Sequence, residues 1–298
     1  MASENKLLHL LSDMDHYHKA YACFKGNIKP VEIKQLKQWT DTEFEPNVVS
    51  SLTKSLDQQQ IRFLGIGSGG GIAELYQLQK LAAKFPKISA SVVEPSNLII
   101  EYQDTVVRNP IAKNISFQWH RKTFDEFLTS NNQKYHFVSV VHSIYFLGDP
   151  SVSIRKLYKL LEPGGILLLV LVTGHTGTGS IPLHHSDPMD GKAINNMMNS
   201  SQVKAALDQL QIEYTQSKYT LPMDITDVMS NDHSEEADML LDFLTYVIDF
   251  RKSASDDVRD RVMRYFQENS RIEKVDDGDE KVFFDTICDI LLVTGRAE

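Results

Sequence analysis

The stretch Ile61-Arg-Phe-Leu-Gly-Ile-Gly-Ser-Gly-Gly-Gly71 decides the fold. Residues 62–66 read as a buried strand that runs straight into a cluster of five glycines, Gly65, Gly67, Gly69, Gly70 and Gly71. Glycine carries no Cβ, so it tolerates φ > 0 and lets the backbone come close to a ligand. Residues 72–85 follow with apolar side chains at helical spacing. Strand, glycine loop and helix in that order open a nucleotide-binding α/β unit.

The alternation continues outward. Residues 88–93 form a second strand ending at Glu94-Pro95-Ser96, residues 97–107 a helix, and 115–119 a third strand. A short helix at 123–128, a fourth strand at 137–141, a helix at 150–161 and an apolar fifth strand at 165–172 complete the series. This β-α-β order predicts an α/β fold, a parallel Rossmann-like sheet with helices on both faces. Residues 1–60 read as helices carrying Tyr17, Tyr21, Phe24 and Trp39. Residues 174–200 are rich in Gly, Ser, Thr, His and Pro and read as a long loop of the kind that closes over a site. Beyond it, helices are expected at 202–210, 237–250 and 256–268, and strands at 213–221 and 281–293. Three segments follow from this: an N-terminal helical cover (1–55), a nucleotide-binding core (56–173), and a lid with substrate-binding elements and a last strand (174–298).

Composition narrows the partners. The longest apolar run, 166–173, is far too short to span a bilayer, and the N-terminus has no clean apolar stretch of a signal peptide. Two distant cysteines, Cys23 and Cys288, make no disulfide framework, so a reducing, cytoplasmic location is expected. A net charge of −9 argues against nucleic acid and anionic membranes as partners. A monomer acting on a small molecule is the expectation.

The glycines fit two ligands. Gly65-x-Gly67-x-x-Gly70 matches a dinucleotide fingerprint, and Gly67-x-Gly69-x-Gly71 matches a loop that holds S-adenosylmethionine (SAM). Glu94, at the end of the second strand, is placed to accept hydrogen bonds from both ribose hydroxyls of either nucleotide; its ordinary alternative is a helix cap. Leu160-Leu-Glu-Pro-Gly-Gly-Ile166 separates the two ligands, because it resembles the L-x-P-G-G turn before strand five of class I SAM-dependent methyltransferases. A nicotinamide enzyme has no reason to carry it. Class I enzymes often have an acidic residue two positions before the first loop glycine, and here that position is Gly65.

Several islands resemble the histamine N-methyltransferase family: Ser12-Asp13…Tyr17, Gly67–Gly71, Val92-Val-Glu-Pro-Ser96, Phe117-x-Trp119-His120, Met223-Asp-Ile-Thr-Asp227, Asp238-Met-Leu-Leu-Asp-Phe-Leu-Thr245 and Lys281-Val-x-Phe284. The resemblance implies SAM as cofactor, with S-adenosylhomocysteine as product, and N-methylation of a small amine or imidazole. It implies that Gly67, Gly69, Gly71 and Glu94 hold the cofactor, that Thr123 and Phe124 lie at its adenine region, and that Val141 closes strand four beside it. Glu32 corresponds to a glutamate that binds the substrate amine, and His142 stands where the family has a substrate-binding glutamine. Tyr145, Phe146 and Phe243 correspond to aromatics lining the pocket. Asp285 or Thr286 falls where the family has an active-site asparagine. Residues 173–183 lack the two tryptophans that wall the family's pocket. Histamine or a close relative is therefore the expected acceptor, with a carnosine-type imidazole dipeptide as the alternative; a non-catalytic SAM-binding protein is the alternative of another class.

Methyl transfer from a sulfonium is an in-line displacement, and alignment supplies most of the rate. A neutral imidazole is already nucleophilic near pH 7. The residues expected to orient the ring or take its proton are Glu32, His142 and Asp285. Tyr17, Tyr21, Phe24, Tyr145 and Phe146 would stack on it or hold a cation. Each also has a plain structural reading, as a solvated or core side chain. His175, His184 and His185 lack firm ligand spacing, and no metal is expected.

Overall fold

The computed structural model describes residues 7–55, 60–174, 176–184, 198–275 and 278–296, without the side chains of 29–33, 55, 111–112 and 182–184. The chain divides into two compact units. One comprises Ile33–Leu171, Ser200–Tyr219 and Asp289–Glu298, and the other Met1–Glu32, Val172–Asn199 and Thr220–Cys288.

The strands are β1 (Gln60–Ile66), β2 (Lys87–Val93), β3 (Ile115–His120), β4 (Tyr135–Val141), β5 (Leu161–Val172), β6 (Tyr214–Asp224), β7 (Ser270–Lys274) and β8 (Glu280–Thr294). They form one sheet in the order β3-β2-β1-β4-β5-β8-β6, with β7 on β8. The neighbours from β3 through β5 pair in parallel. Strand order reverses between β1 and β4, and a ligand crevice lies outside the carboxyl ends of strands at such a reversal. The loop after β1 and the residue after β4 are thereby neighbours.

The class I methyltransferase fold expected from the sequence is present, with two differences in the sheet. Leu160–Ile166 is not a turn ahead of β5: Glu162-Pro-Gly-Gly165 lies inside it as a bulge. Tyr135 pairs with Leu161 and Phe137 with Ile166, so β5 advances five positions while β4 advances two. The hairpin partner β7 pairs antiparallel with β8 and makes the sheet mixed. The sequence reading missed β7 because Ser270-Arg-Ile-Glu-Lys274 is short and charged, the composition of an edge strand.

In the unit that carries β1 to β4, the helices are α2 (Ser50–Ser55), α3 (Ile72–Ala82), α4 (Leu98–Arg108), α5 (Phe124–Ser130), α6 (Pro150–Lys159) and α7 (Ser200–Gln209). Phe44 meets Phe137 edge-on at 5.4 Å, and Phe137 meets Phe63 at 5.6 Å. Phe44 lies in a π-helical stretch, Thr40–Val49, that contains Pro46. Proline has no N–H to continue an α-helical ladder there.

A buried carboxylate pins α7 to the strands. Asp289 of β8 is fully buried and accepts from Ser200 Oγ (2.5 Å), Lys204 Nζ (2.9 Å) and Gln216 Nε2 (2.8 Å). Removing one partner of such a group strands the others, which costs about 3–5 kcal/mol. Asp289→Ala should therefore lower the unfolding free energy by about 3 kcal/mol or more in urea denaturation followed by circular dichroism. A loss under about 1 kcal/mol would show that the network is dispensable.

The other unit carries the long helix α1 (Met14–Trp39) up to residue 32, then α8 (Thr226–Met229), α9 (Glu235–Thr245), α10 (Phe250–Ser253) and α11 (Asp256–Glu268). Its core gathers Ile28, Ile181, Leu241, Leu244, Phe250, Phe266 and Phe284. A single helix is expected over 237–250. Instead α9 stops at Thr245, and Tyr246 and Asp249 take left-handed backbone. The cause is Asp242, whose buried carboxylate accepts the N–H groups of Asp249 and Phe250, each at 2.8 Å. Among the described residues, no helix is long and apolar enough to cross a membrane.

Candidate functional site

At the carboxyl end of β1 the chain turns sharply. Gly67 adopts φ +63° and donates its N–H to Val93 O (2.8 Å). A Cβ on Gly67 would overlap the side chain of Ser143, whose Oγ donates to Ile66 O at 2.6 Å. Gly71, at φ +74°, opens α3, and a Cβ there would overlap the Tyr102 ring. Both glycines are thus required by backbone conformation and by packing.

Gly69 and Gly70 differ. A Cβ at Gly69 would meet only Leu98 Cδ1, at 3.8 Å, and one at Gly70 only Glu101 Oε2, at 3.7 Å. The loop is open here, leaving room for a ligand against bare backbone. Glu94 holds it in that shape: Oε2 accepts the Gly69 N–H (2.9 Å) and Oε1 the Ser96 N–H (2.8 Å). Each carboxylate oxygen has a second acceptor direction, so Glu94 can brace the loop and still receive hydroxyl donors. This arrangement fits the adenosyl part of SAM. Gly67, Gly69, Gly71 and Glu94 are neighbours at the carboxyl ends of β1 and β2.

Thr123 and Phe124 lie at the start of α5. The Thr123 hydroxyl accepts from Glu126 N (3.3 Å), while Glu126 Oε2 accepts from Thr123 N (2.8 Å), a capping box. Phe124 is buried. Val141 ends β4, and His142 follows it in left-handed backbone at φ +50°. The His142 N–H donates to Val170 O (2.8 Å). Its Nε2 lies 2.8 Å from the Tyr219 hydroxyl and its Nδ1 3.3 Å from the Tyr145 hydroxyl. Burial lowers its pKa to about 4, so the ring is neutral at pH 7 with one donor and one acceptor nitrogen. Tyr219 was not legible as a site residue, since a tyrosine on a strand is an ordinary core residue. Phe146 is 59% exposed.

The second unit carries the aromatic residues. Tyr17, Tyr21 and Phe24 fall at i, i+4 and i+7 on one face of α1. The Tyr17 and Tyr21 rings are stacked at 5.9 Å with planes 3° apart, and Phe24 stacks on Phe243 of α9 at 4.3 Å. Tyr21 lies 5.7 Å from Phe243, and the Lys25 ammonium 5.9 Å from the Tyr21 ring. Burial pushes the Tyr17 phenol up to about 12, so it stays neutral. Next to Tyr17, His16 Nε2 lies 2.7 Å from Asp242 Oδ2, a dyad that the sequence reading missed. Its partners are 226 positions apart, and no local pattern announces such a pair.

Thr286 is buried, with its Oγ1 accepting from Thr178 N at 3.4 Å. Asp285 is ion-paired with Arg271 of β7, so this carboxylate already has a cation. The Glu32 side chain lies outside the described residues, as do His175, His185 and the side chain of His184. Among the described residues, no cluster of His, Cys, Asp and Glu could hold a metal.

Comparison with known proteins agrees with this geometry. A methyltransferase-domain family model matches residues 36–217. The chain is 30% identical to histamine N-methyltransferase of Xenopus tropicalis, over 87% of this chain and 89% of that protein. It is 26% identical to histamine N-methyltransferase of Danio rerio, over 95% and 97%. A candidate methyltransferase from Bacillus halodurans, 14% identical, superposes with a TM-score of 0.52 over 85% of this chain and all of that one, a likeness of fold alone. The cofactor is SAM, and the chain belongs to the histamine N-methyltransferase family of class I SAM-dependent methyltransferases, as a divergent member.

Proposed function

We propose that this SAM-dependent N-methyltransferase methylates a ring nitrogen of a small imidazole amine, histamine or a close relative. The observation that carries the reading is the aromatic face of α1 and α9, where the Tyr21 ring already receives an ammonium, that of Lys25. Such a face suits an imidazolium-sized ring or a primary ammonium. Relatives across most of the chain carry the name histamine N-methyltransferase, which supports the same acceptor class.

When bound, SAM supplies a methyl group activated on a sulfonium. Gly67, Gly69, Gly71 and Glu94 bind and orient its nucleoside, and Thr123, Phe124 and Val141 are assigned to the same end. His142 is assigned to the acceptor: burial keeps its ring neutral, so it brings no competing positive charge, and its longer contact, Nδ1 to Tyr145 at 3.3 Å, is the one a substrate group would exchange. Tyr17, Tyr21, Phe24 and Phe243 are assigned to the substrate ring, and Tyr145, Phe146 and Thr286 are likewise assigned to the acceptor. Glu32 is assigned to the substrate amine. Asp285, held by Arg271, would act only after exchanging that partner. Segments 1–55 and 174–298 supply the substrate elements, and 56–173 the cofactor elements. The wide separation of Cys23 and Cys288 along the sequence supports a reducing, cytoplasmic location, and we take the protein as a monomer.

A carnosine-type dipeptide is the second reading, favoured by the missing tryptophans at 173–183, which leave more room for an acyl group. A screen with radiolabelled SAM over histamine, carnosine, histidine and other biogenic amines should give turnover with histamine or a near relative. Turnover with none, alongside tight S-adenosylhomocysteine binding, would overturn the reading in favour of a non-catalytic binding protein. Glu94→Ala should weaken S-adenosylhomocysteine binding at least about tenfold in calorimetry, since hydrogen bonds to a charged group are lost. His142→Asn keeps a residue that tolerates left-handed backbone but removes the ring. Its kcat/KM should fall about 100-fold while S-adenosylhomocysteine affinity stays within about twofold; normal turnover would remove His142 from the site.

A further inference from the structure

Beneath the glycine loop lies a buried acid that this assignment does not use. Gly65 has no side chain, and the carboxyl of Glu74, from the first turn of α3, fills its place: a Cβ on Gly65 would overlap Oε1, Cδ and Oε2. The acidic group absent from position 65 of the strand is thus delivered to the same spot from the helix. Glu74 is 4% exposed and Tyr102 fully buried. Ser68 and Tyr102 flank the carboxyl, yet Glu74 Oε2, Ser68 Oγ and Tyr102 OH each lack a well-aligned hydrogen-bond partner. Unpaired buried groups of this kind are costly and call for a reason.

We propose that Glu74 is a specificity-determining residue of the cofactor site, a buried counter-charge that favours cationic S-adenosylmethionine over its neutral demethylated product. The inference rests on the cofactor assignment. The two ligands share every group that the glycine loop and Glu94 can grip; they differ by one methyl and the positive charge on sulfur. Discrimination therefore needs a group that senses charge. Glu94 is already compensated by two backbone N–H donors, whereas among the described residues no cation pairs with Glu74.

The groups facing Glu74 are Ser68 of the loop, Tyr102 of α4 and, across the loop, Glu94 of β2; Gly65 of β1 brings no charge. Burial first, then the Glu94 charge, raise its pKa to about 8, with Ser68 and Tyr102 pulling the other way. Glu74 packs against Gly65 under the loop and Glu94 binds the Gly69 N–H of the same loop, so a positive charge on a ligand there acts on Glu74 with the sign opposite to that of Glu94. The cation lowers the Glu74 pKa and binding expels a proton, whereas the neutral thioether leaves the acid protonated. Preference for the cation is absent where Glu74 is protonated in both states, grows as pH rises above the bound-state pKa, and levels off above the free-state value.

Calorimetry tests this with S-adenosylmethionine and S-adenosylhomocysteine between about pH 6 and about pH 9, in buffers of different ionisation enthalpy. In the wild-type protein the affinity ratio should rise about tenfold with pH, and only S-adenosylmethionine should release protons. Glu74→Gln, neutral and nearly isosteric, should flatten the ratio, abolish the release and leave S-adenosylhomocysteine within about twofold. Folding is a separate check: a raised carboxyl pKa destabilises the folded state as pH climbs from 4.5 towards about 8, so the variant should unfold at higher urea than wild type at alkaline pH. Equal weakening of both ligands, or a pH-independent wild-type ratio, would overturn the proposal. Wild-type protein that binds neither ligand would overturn the cofactor assignment itself.

Discussion

One carboxylate ties the cofactor end together. Glu94 accepts the N–H of Gly69 with one oxygen and that of Ser96 with the other, so the end of β2 and the loop after β1 share a single charge. Hydrogen bonds to an ionised acceptor are the strong ones, and here they fix a loop with few side chains of its own. The packing around the loop depends on that shape. Ser143 fills the space beside Gly67, Tyr102 that beside Gly71, and Glu74 that beside Gly65. Each neighbour occupies the volume of a side chain the loop does not have. A glycine loop is therefore not an open gap: its inner face is packed, and only the outer face, at Gly69 and Gly70, is left for a ligand.

The titratable groups near this end share a second property. Burial holds the His142 ring neutral, with a pKa near 4, and keeps Glu74 protonated up to about 8. Both shifts have desolvation as their leading cause. A site that handles a sulfonium gains from this. Fixed positive charge would repel the cofactor, whereas a neutral histidine does not and an acid can ionise when a cation arrives. In the other unit, burial likewise holds the Tyr17 phenol neutral, beside the Tyr21 and Phe243 rings.

Most of the α/β core was legible because its signals are local. Apolar runs between glycine and proline punctuation located β1 to β5, and helix α11 falls at the expected residues, Asp256–Glu268. The misreadings arose where distant groups override local propensity. Residues 237–250 have helical periodicity throughout, but Asp242 draws the N–H groups of Asp249 and Phe250 and breaks the helix. Leu160–Ile166 has turn residues, yet β4 pairs on both sides of the Pro-Gly-Gly and makes it a bulge. Tyr219, Asp242 and Glu74 were invisible as functional candidates for the same reason: each matters through a partner that only folding brings near.

The difference in legibility between cofactor and acceptor residues is physical in origin. Holding a nucleoside needs backbone N–H groups, φ > 0 and an absent Cβ, and only glycine meets those demands, so the requirement is written in the sequence as a pattern. Holding a small imidazole needs ring faces and one or two polar atoms, and Tyr, Phe, His and Asp meet those demands equally well in a core. Tyr17, Tyr21 and Phe24 illustrate this, for the periodicity that aligns their rings is the one that packs α1 against Phe243. The demands of a nucleoside are thereby legible as a pattern, while ring faces and single polar atoms leave no pattern distinct from that of a core.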